Sequence, residues 1–303
     1  MNVSVVMTTY NGANKLLPQL ISLRDQSRKA DEVLIFDDCS KDQTVEVIQN
    51  FIYENHLYDW TLIENEHNKG LRRNFADALN TARGDLIFLC EQDGEWKADR
   101  IEKMAMIMEE RDEIKVLSSD YDIRRGNQAV RFRKGVPQPY GRQRIEKAEV
   151  SACTIDPLRP GFTYVLRREM IHQIKSVTEA DDEYDRVIWE SALLSGGLYL
   201  LNEKLSVQIR YKDHERISAA DEKNRRIRKI REQCALTERL LARIETVENR
   251  QWLEEYIRIQ KERADAVENG SVRNLYALSK NSGFMPQSFT WLADAVSVIR
   301  AKL

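Results

Sequence analysis

Acidic and hydroxyl residues gather at three points in the first third of the chain: Thr8-Thr9-Tyr10-Asn11-Gly12, Asp37-Asp38-Cys39-Ser40 and Glu91-Gln92-Asp93-Gly94. Each follows a short apolar run that reads as a strand. Sheets of parallel strands bind ligands just beyond the carboxyl ends of their strands. Hydroxyls and carboxylates collected on that edge imply a pocket for a nucleotide. Each piece alone has a plainer reading. Ser40 or Asp42 can cap a helix that begins at Thr44, and Glu-Gln-Asp-Gly is an ordinary polar turn. Only the three together point to chemistry.

The elements that must position them can be read from periodicity. Strands are expected at Val3–Thr8, Glu32–Phe36, Thr61–Ile63, Leu86–Cys90 and Lys115–Ser118. Helical patterns lie between them at Leu16–Asp25, Thr44–Tyr53, Leu71–Ala82 and Asp99–Glu110. This alternation means parallel strands with right-handed crossovers, an α/β domain. The polar segment Arg124–Val150 reads as a long loop or hairpin. A Pro160-Gly161 turn, an apolar run Phe162–Leu166, a helix from Arg167, a helix Asp185–Leu194 and a short strand Leu198–Leu201 follow. From about Asn224 the chain turns helical, with Ile227, Ile230, Cys234, Leu241 and Ile244 at helical offsets and a continuation around Trp252–Gln260. A last helix after Pro286 carries Phe289, Leu292, Val296 and Ile299 on one face, the face expected to pack or dock.

Composition excludes some classes. Basic and acidic residues number 47 and 49, a net charge of -2, so no global field favours nucleic acid. The longest apolar runs are strand-sized, too short for a bilayer span, and the opening MNVSVVMTTY has no basic region of the kind that starts a signal peptide. Cys39, Cys90, Cys153 and Cys234 are scattered without a Cys-x-x-Cys pair. That argues against a zinc site or disulfide framework and fits a reducing cytoplasm.

The order of these motifs resembles the family 2 glycosyltransferases with a GT-A fold. "VSVVMTTYNG" is similar to that family's opening strand and loop, and "VLIFDDCSKDQT" to its second strand with an Asp-Asp-x-Ser signature. "NKGLRRNFADALNTARGDLIFLCEQDGEW" is similar to its run of Asn-x-Gly, helix, Gly-Asp, strand and metal motif, and Gln-Asp-x-x-Trp is closest to a bacterial rhamnosyltransferase-like branch. The resemblance covers about residues 3–218. It implies an inverting transfer of sugar from a nucleoside-diphosphate donor to a glycan or lipid-linked acceptor. Thr8, Tyr10, Asn68, Gly70, Asn74, Glu91 and Gln92 would line the donor pocket, and Asp38 would take a hydrogen bond from the base edge. Asp93 would hold Mn2+ or Mg2+ against the diphosphate, a hard cation on oxygen ligands. The branch usually shows Asp-Gln-Asp-Asp, and here Glu91 and Gly94 replace its first and last acids.

"RPGFTYVLRREMI" resembles the Gly-containing segment beneath the family's acceptor site. Counting back from Asn202-Glu203-Lys204-Leu205 then places the general base at Asp185, with Tyr184 where His is common. Asp181, Asp182 and Glu183 are rivals, and Asp185 read without the resemblance is a helix-start acid stabilised by the dipole. That dipole is expected to lower its pKa. "RYKDHERIS" resembles a Tyr-Arg-x-His segment, which implies Lys212 and His214 on the diphosphate.

The expected architecture is a GT-A mixed sheet flanked by helices over 1–220, in a nucleotide-sugar half 1–123 and an acceptor half 124–220, with a helical region over 221–303. Arg225, Arg226, Arg228, Lys229 and Arg231 form a basic cluster in that region. It suggests either packed or dimerising helices or peripheral attachment to the inner face of a membrane. Among rivals, a sugar nucleotidyltransferase would need a Gly-rich basic phosphate loop at the first turn, and a dehydrogenase a Gly-x-Gly-x-x-Gly there. Neither is present. A degenerate fold kept as a binding or scaffold protein is favoured only by the altered Glu91–Gly94 motif.

Overall fold

The computed structural model describes residues 1–125, 128–130, 144–179, 182–210, 219–244, 247, 249–286 and 290–301. Strand β1 (Val3–Thr9) is buried along its whole length, as a continuous apolar run flanked on both faces should be. It lies between β2 (Glu32–Asp37) and β4 (Leu86–Glu91), parallel to both, with β3 (Trp60–Glu64) parallel beyond β2. Helices α1 (Leu17–Arg24), α2 (Thr44–Glu54) and α3 (Leu71–Thr81) are the crossovers between these strands. Strands β1, β2 and β4 each run one residue further than periodicity indicates. Thr9 therefore sits beside Asp37, and Thr8 beside Glu91.

Past β4 the sheet becomes mixed. Its order is β3-β2-β1-β4-β9-β6-β10-β5, with β5 Gly94–Trp96, β6 Val116–Arg125, β9 Tyr164–Arg167 and β10 Leu198–Arg210. Short strands β7 (Gln128–Val130) and β8 (Ile145–Lys147) pair antiparallel with β6 and β10, and α4 (Arg100–Glu110) follows β5. The segment read as a loop or hairpin from Arg124 thus contains two strands at its ends, while 131–143 lies outside the described residues.

Two expectations need correction. The strand begun at Leu198 continues to Arg210, because register shifts on either side of Lys204 absorb the polar residues that seemed to end it. No helix starts at Arg167: that residue ends β9, and α5 spans Met170–Val177. Its buried guanidinium donates to the carbonyls of Met108 (2.6 Å), Arg111 (3.0 Å) and Ile114 (2.8 Å) around the end of α4. Cations near a helix end satisfy its unpaired carbonyls.

The chain divides into two compact units. The first comprises 1–147, 159–188 and 197–212, and holds the sheet; the second comprises 148–158, 189–196 and 213–303. The second is built on α7 (Ala219–Arg243), α8 (Arg250–Glu268), α9 (Val272–Leu278) and α10 (Thr290–Arg300). Residues 148–158 and 189–196 join it although the sequence groups them with the acceptor half. Ile227, Ile230, Cys234 and Leu241 are buried along α7 as their spacing predicts. The apolar face read on α10 is its outer one. Leu292, Val296 and Ile299 are exposed, while Ala295, Val298 and Asp294 face inward; Phe289 lies outside the described residues. Asp294, fully buried, accepts from Arg263 (2.6 and 3.1 Å) and Arg226 (2.7 Å), and a buried charge must be paired. Arg231 likewise pairs with Asp265 and Glu268, and Arg228 with Glu232, so most of the basic cluster on α7 is neutralised within the unit.

Candidate active site

The carboxyl ends of β1, β2 and β4 open onto a cavity of about 470 Å³, a volume suited to a nucleotide-sized ligand. Thr8, Tyr10, Asp38, Asn68, Gly70, Asn74, Glu91, Gln92 and Asp93 all line it, joined by Thr9 and Leu71, which the sequence reading did not select. Lys212 and His214 lie outside the described residues.

Several of these residues build the walls. Buried Asp37 accepts from Thr9 Oγ1 (2.8 Å), Ser40 N (2.8 Å) and Ser40 Oγ (2.6 Å), locking the first two strand ends together. Neither Ser40 nor Asp42 is the N-cap of α2: Gln43 holds that position without a side-chain cap, and Asp42 accepts from Thr44 N at 3.1 Å in the turn before it. Gln92 clasps the backbone of Tyr10 with both amide atoms, each at 3.0 Å. Asp38 takes the amides of Lys69 (2.7 Å) and Gly70 (2.8 Å) and the side chain of Asn65 (3.0 Å). Its Oδ1 accepts two of these and its Oδ2 one, so it holds the loop before α3 with a lone pair left on Oδ2. Asn74 is buried and bridges Asn65 to the carbonyl of Phe36. Its contribution to the cavity is a fixed wall.

The acids at the end of β4 are of a different kind. Burial, with Asp93 and then Asp185 as neighbouring negative charges, pushes Glu91 up to about 7, against the opposing hydrogen bond from Tyr184. Burial also raises Asp93, and Lys15 partly offsets this. Gly94, where the related motif has a further acid, is built into β5 opposite Gln208. A Cβ there would stand 2.8 Å from Gln19 Oε1 and 3.1 Å from the Val207 carbonyl, so a side chain would crowd Gln19 and the neighbouring strand. Among the described residues no three His, Cys, Asp or Glu side chains converge as a complete cation cage. Glu91 and Asp93 nonetheless offer hard oxygen donors whose mutual repulsion a cation would relieve. They fit a site that borrows its remaining ligands from a diphosphate.

Asp185 lies in the first turn of α6 (Tyr184–Leu194). Its pKa direction is opposite to that expected from the helix dipole: burial is the largest influence, Glu183 adds to it, and the amide of Arg186 opposes it. Loss of water outweighs the dipole, leaving the carboxyl above its usual range. Oδ1 accepts from Arg186 N at 2.8 Å. The rival acids are engaged elsewhere. Asp182 accepts from Glu179 N at 2.7 Å, Glu183 faces Arg72 at 3.8 Å near the surface, and Asp181 lies outside the described residues. Tyr184, noted in sequence only as a departure, donates its hydroxyl to Glu91 Oε1 at 3.0 Å and stacks on Phe75. Nothing in residue spacing signals that pairing, since the three residues come from separate elements.

A parallel strand quartet with a nucleotide-sized cavity at its carboxyl ends, acids on β4, and an antiparallel continuation of the sheet define the GT-A class of fold. The comparisons agree. The profile of glycosyl transferase family 2 matches residues 4–174. The chain belongs to that family. It is 31% identical over 109 residues to a Bacillus subtilis protein named for teichuronic acid biosynthesis, the glycosyltransferase TuaG, covering 36% of this chain and 42% of that one. The chain spans about half the length, or less, of the curated relatives it matches. Among solved structures it is similar to residues 1–349 of Staphylococcus aureus TarS in complex with UDP. That match has a TM-score of 0.64 and 16% identity, over 99% of this chain and 89% of that one. It is also similar to the mannosyltransferase PcManGT of Pyrobaculum calidifontis in complex with GDP-Man and Mn2+, with a TM-score of 0.60 and 15% identity, over 99% and 86%. Among the described residues no helix is long and apolar enough to cross a membrane.

Proposed function

We propose that this chain transfers a sugar, with inversion, from a nucleoside-diphosphate donor to a hydroxyl of a glycan or lipid-linked acceptor. The pathway would be the assembly of bacterial surface polysaccharide. The observation that carries this reading is Glu91 and Asp93 lining a nucleotide-sized cavity, with Asp185 close enough to act electrostatically on Glu91, and burial raising the pKa of all three. Membership of family 2 and the biosynthetic name of the TuaG relative support it.

In this mechanism the lone pair left on Asp38 Oδ2 takes an N–H from the base, and Thr8 and Tyr10 line the donor. Asp185 Oδ2, which makes no hydrogen bond among the described residues, removes the proton of the acceptor hydroxyl. A carboxylate held above its usual range is a better base than an exposed one. The acceptor oxygen bonds to the anomeric carbon as the bond to the diphosphate breaks, and the diphosphate leaves with the electron pair. This single displacement inverts the centre. Asp93, with Glu91 beside it, would hold Mn2+ or Mg2+, which neutralises the charge gained by the leaving group. Lys212 or His214 would meet the same oxygens. The ion pairs on α7 favour packed helices over a bare cationic membrane face, and peripheral contact, if made, falls to the exposed stripe of α10.

The test is turnover of UDP-GlcNAc, GDP-mannose and dTDP-rhamnose with Mn2+, offered short glycans or isolated lipid-linked glycans as acceptors. Transfer from one donor, with the product in the opposite anomeric configuration, is the expected result; dTDP-rhamnose would support the rhamnosyltransferase-like branch. Binding of no nucleotide sugar would overturn the proposal in favour of a scaffold role.

A further inference from the structure

Two departures from the family pattern, Glu91 and Tyr184, meet each other. The Tyr184 hydroxyl donates to Glu91 Oε1 at 3.0 Å. Its ring lies parallel to Phe75 of α3, with centroids 3.9 Å apart and planes 1° apart. The opposite constraint comes from Gly161. A Cβ on that residue would stand 2.6 Å from the Tyr184 ring, 3.1 Å from its hydroxyl and 3.0 Å from Asp185 Cβ. Gly161 belongs to a 3-10 turn, Gly161–Thr163, that has little room to yield. The carbonyl of Phe162 accepts from buried Arg100 at 2.7 Å, and Thr163 Oγ1 donates to the Pro160 carbonyl at 2.7 Å and lies 2.9 Å from Ser118 Oγ.

We propose that Tyr184 is a positioning residue for transfer: clamped by Glu91, Phe75 and Gly161, it fixes the first turn of α6 and so aims the neighbouring Asp185 at the acceptor hydroxyl. The inference rests on the proposed role of Asp185. Three elements grip Tyr184, namely the end of β4, the buried face of α3 and the 3-10 turn. Among the described residues, Asp185 itself is tied by its contact with the next amide. Its direction is therefore inherited from Tyr184. The same hydroxyl ties the donor-side acid Glu91 to the acceptor-side helix, so the two halves of the site share one hydrogen bond.

Tyr184→Phe keeps the ring and its stacking and removes only that bond. Gly161→Ala keeps every polar group and pushes Tyr184 from its seat. Both variants should retain UDP affinity within about twofold, measured by calorimetry with Mn2+. Each should lower kcat for transfer by about tenfold with donor KM little changed, the signature of a misaimed group. Hydrogen exchange at residues 184–188 should quicken in both variants while the strands stay protected. A merely structural role would lower melting temperature and leave kcat per folded molecule and this local exchange unchanged, which would overturn the inference. If Asp185→Asn slows transfer while Tyr184→Phe does not, the positioning role fails and the proposed function stands. If wild type transfers no sugar from any of the three donors, the proposed function fails, and unchanged exchange at 184–188 would then reject the clamp separately.

Discussion

Glu91 offers a perturbation whose size can be worked from its surroundings. Its pKa rises from the ordinary 4.5 to about 7. In the folded, metal-free protein it therefore keeps its proton where the unfolded chain has lost it. Stability from this group is complete below the unfolded value and is lost as pH rises towards and through about 7. The rise corresponds to roughly 3 kcal/mol, and partial solvent access of the residue brings the expected effect nearer 2 kcal/mol. Glu91→Gln removes the titration and still offers an oxygen to the Tyr184 hydroxyl. Melting temperatures of EDTA-treated wild type and Glu91→Gln should be close at pH 4.5. By pH 8 the variant should be more stable by about 2 kcal/mol, on the order of 4 °C for a chain of this size. Saturating Mn2+ with UDP should close the gap, because a cation favours the ionised acid. Parallel pH curves for the two proteins would refute the claim that burial and its acidic neighbours hold Glu91 protonated.

Two further outcomes follow from the same geometry. Asp93→Asn should fold normally, yet Mn2+ should no longer tighten UDP binding; calorimetry with and without EDTA reads this, and metal-dependent tightening in the variant would remove Asp93 as the ligand. Asp294→Ala strands Arg226 and Arg263 without their shared partner, and a broken buried ion pair costs about 3–5 kcal/mol. Chemical denaturation and limited proteolysis should then show the helical unit loosening first, and a loss under 1 kcal/mol would mean the ion network contributes little.

How far the sequence foretold this molecule depends on the reach of each residue. The apolar runs of β1, β2 and β4 and the hydroxyls and acids that end them were legible because strand periodicity and strand-end chemistry are local. So was the burial of Ile227, Ile230 and Cys234 along α7. The extension of β10 was hidden by its bulges, which break the alternation that marks a strand. The roles of Arg167, Arg100 and Asp294 were not visible either. A charged residue reads as surface until the carbonyls or ions that satisfy it are known, and those lie far away in sequence. On α10, buried Asp294 lies inward beside Ala295 and Val298, and the larger apolar residues Leu292, Val296 and Ile299 are left outside. In the site, Glu91 and Asp93 could be found, but the raised pKa of Asp185 could not, because a dipole is readable from a helix start and burial is not. Gly94 looked like a lost ligand, and it stands in β5 against β10, where a side chain would be crowded.

The central claim is that Asp185 is the base of an inverting transfer, and Asp185→Asn tests it most directly. With the donor that wild type uses, the variant should bind nucleotide with unchanged affinity. Its kcat for transfer should fall by about 10²–10⁴-fold, the scale for loss of a general base. Asp182→Asn and Glu183→Gln should stay near wild type. A variant Asp185→Asn that transfers sugar at close to the wild-type rate would contradict the account and return Asp185 to an acid that merely begins a helix.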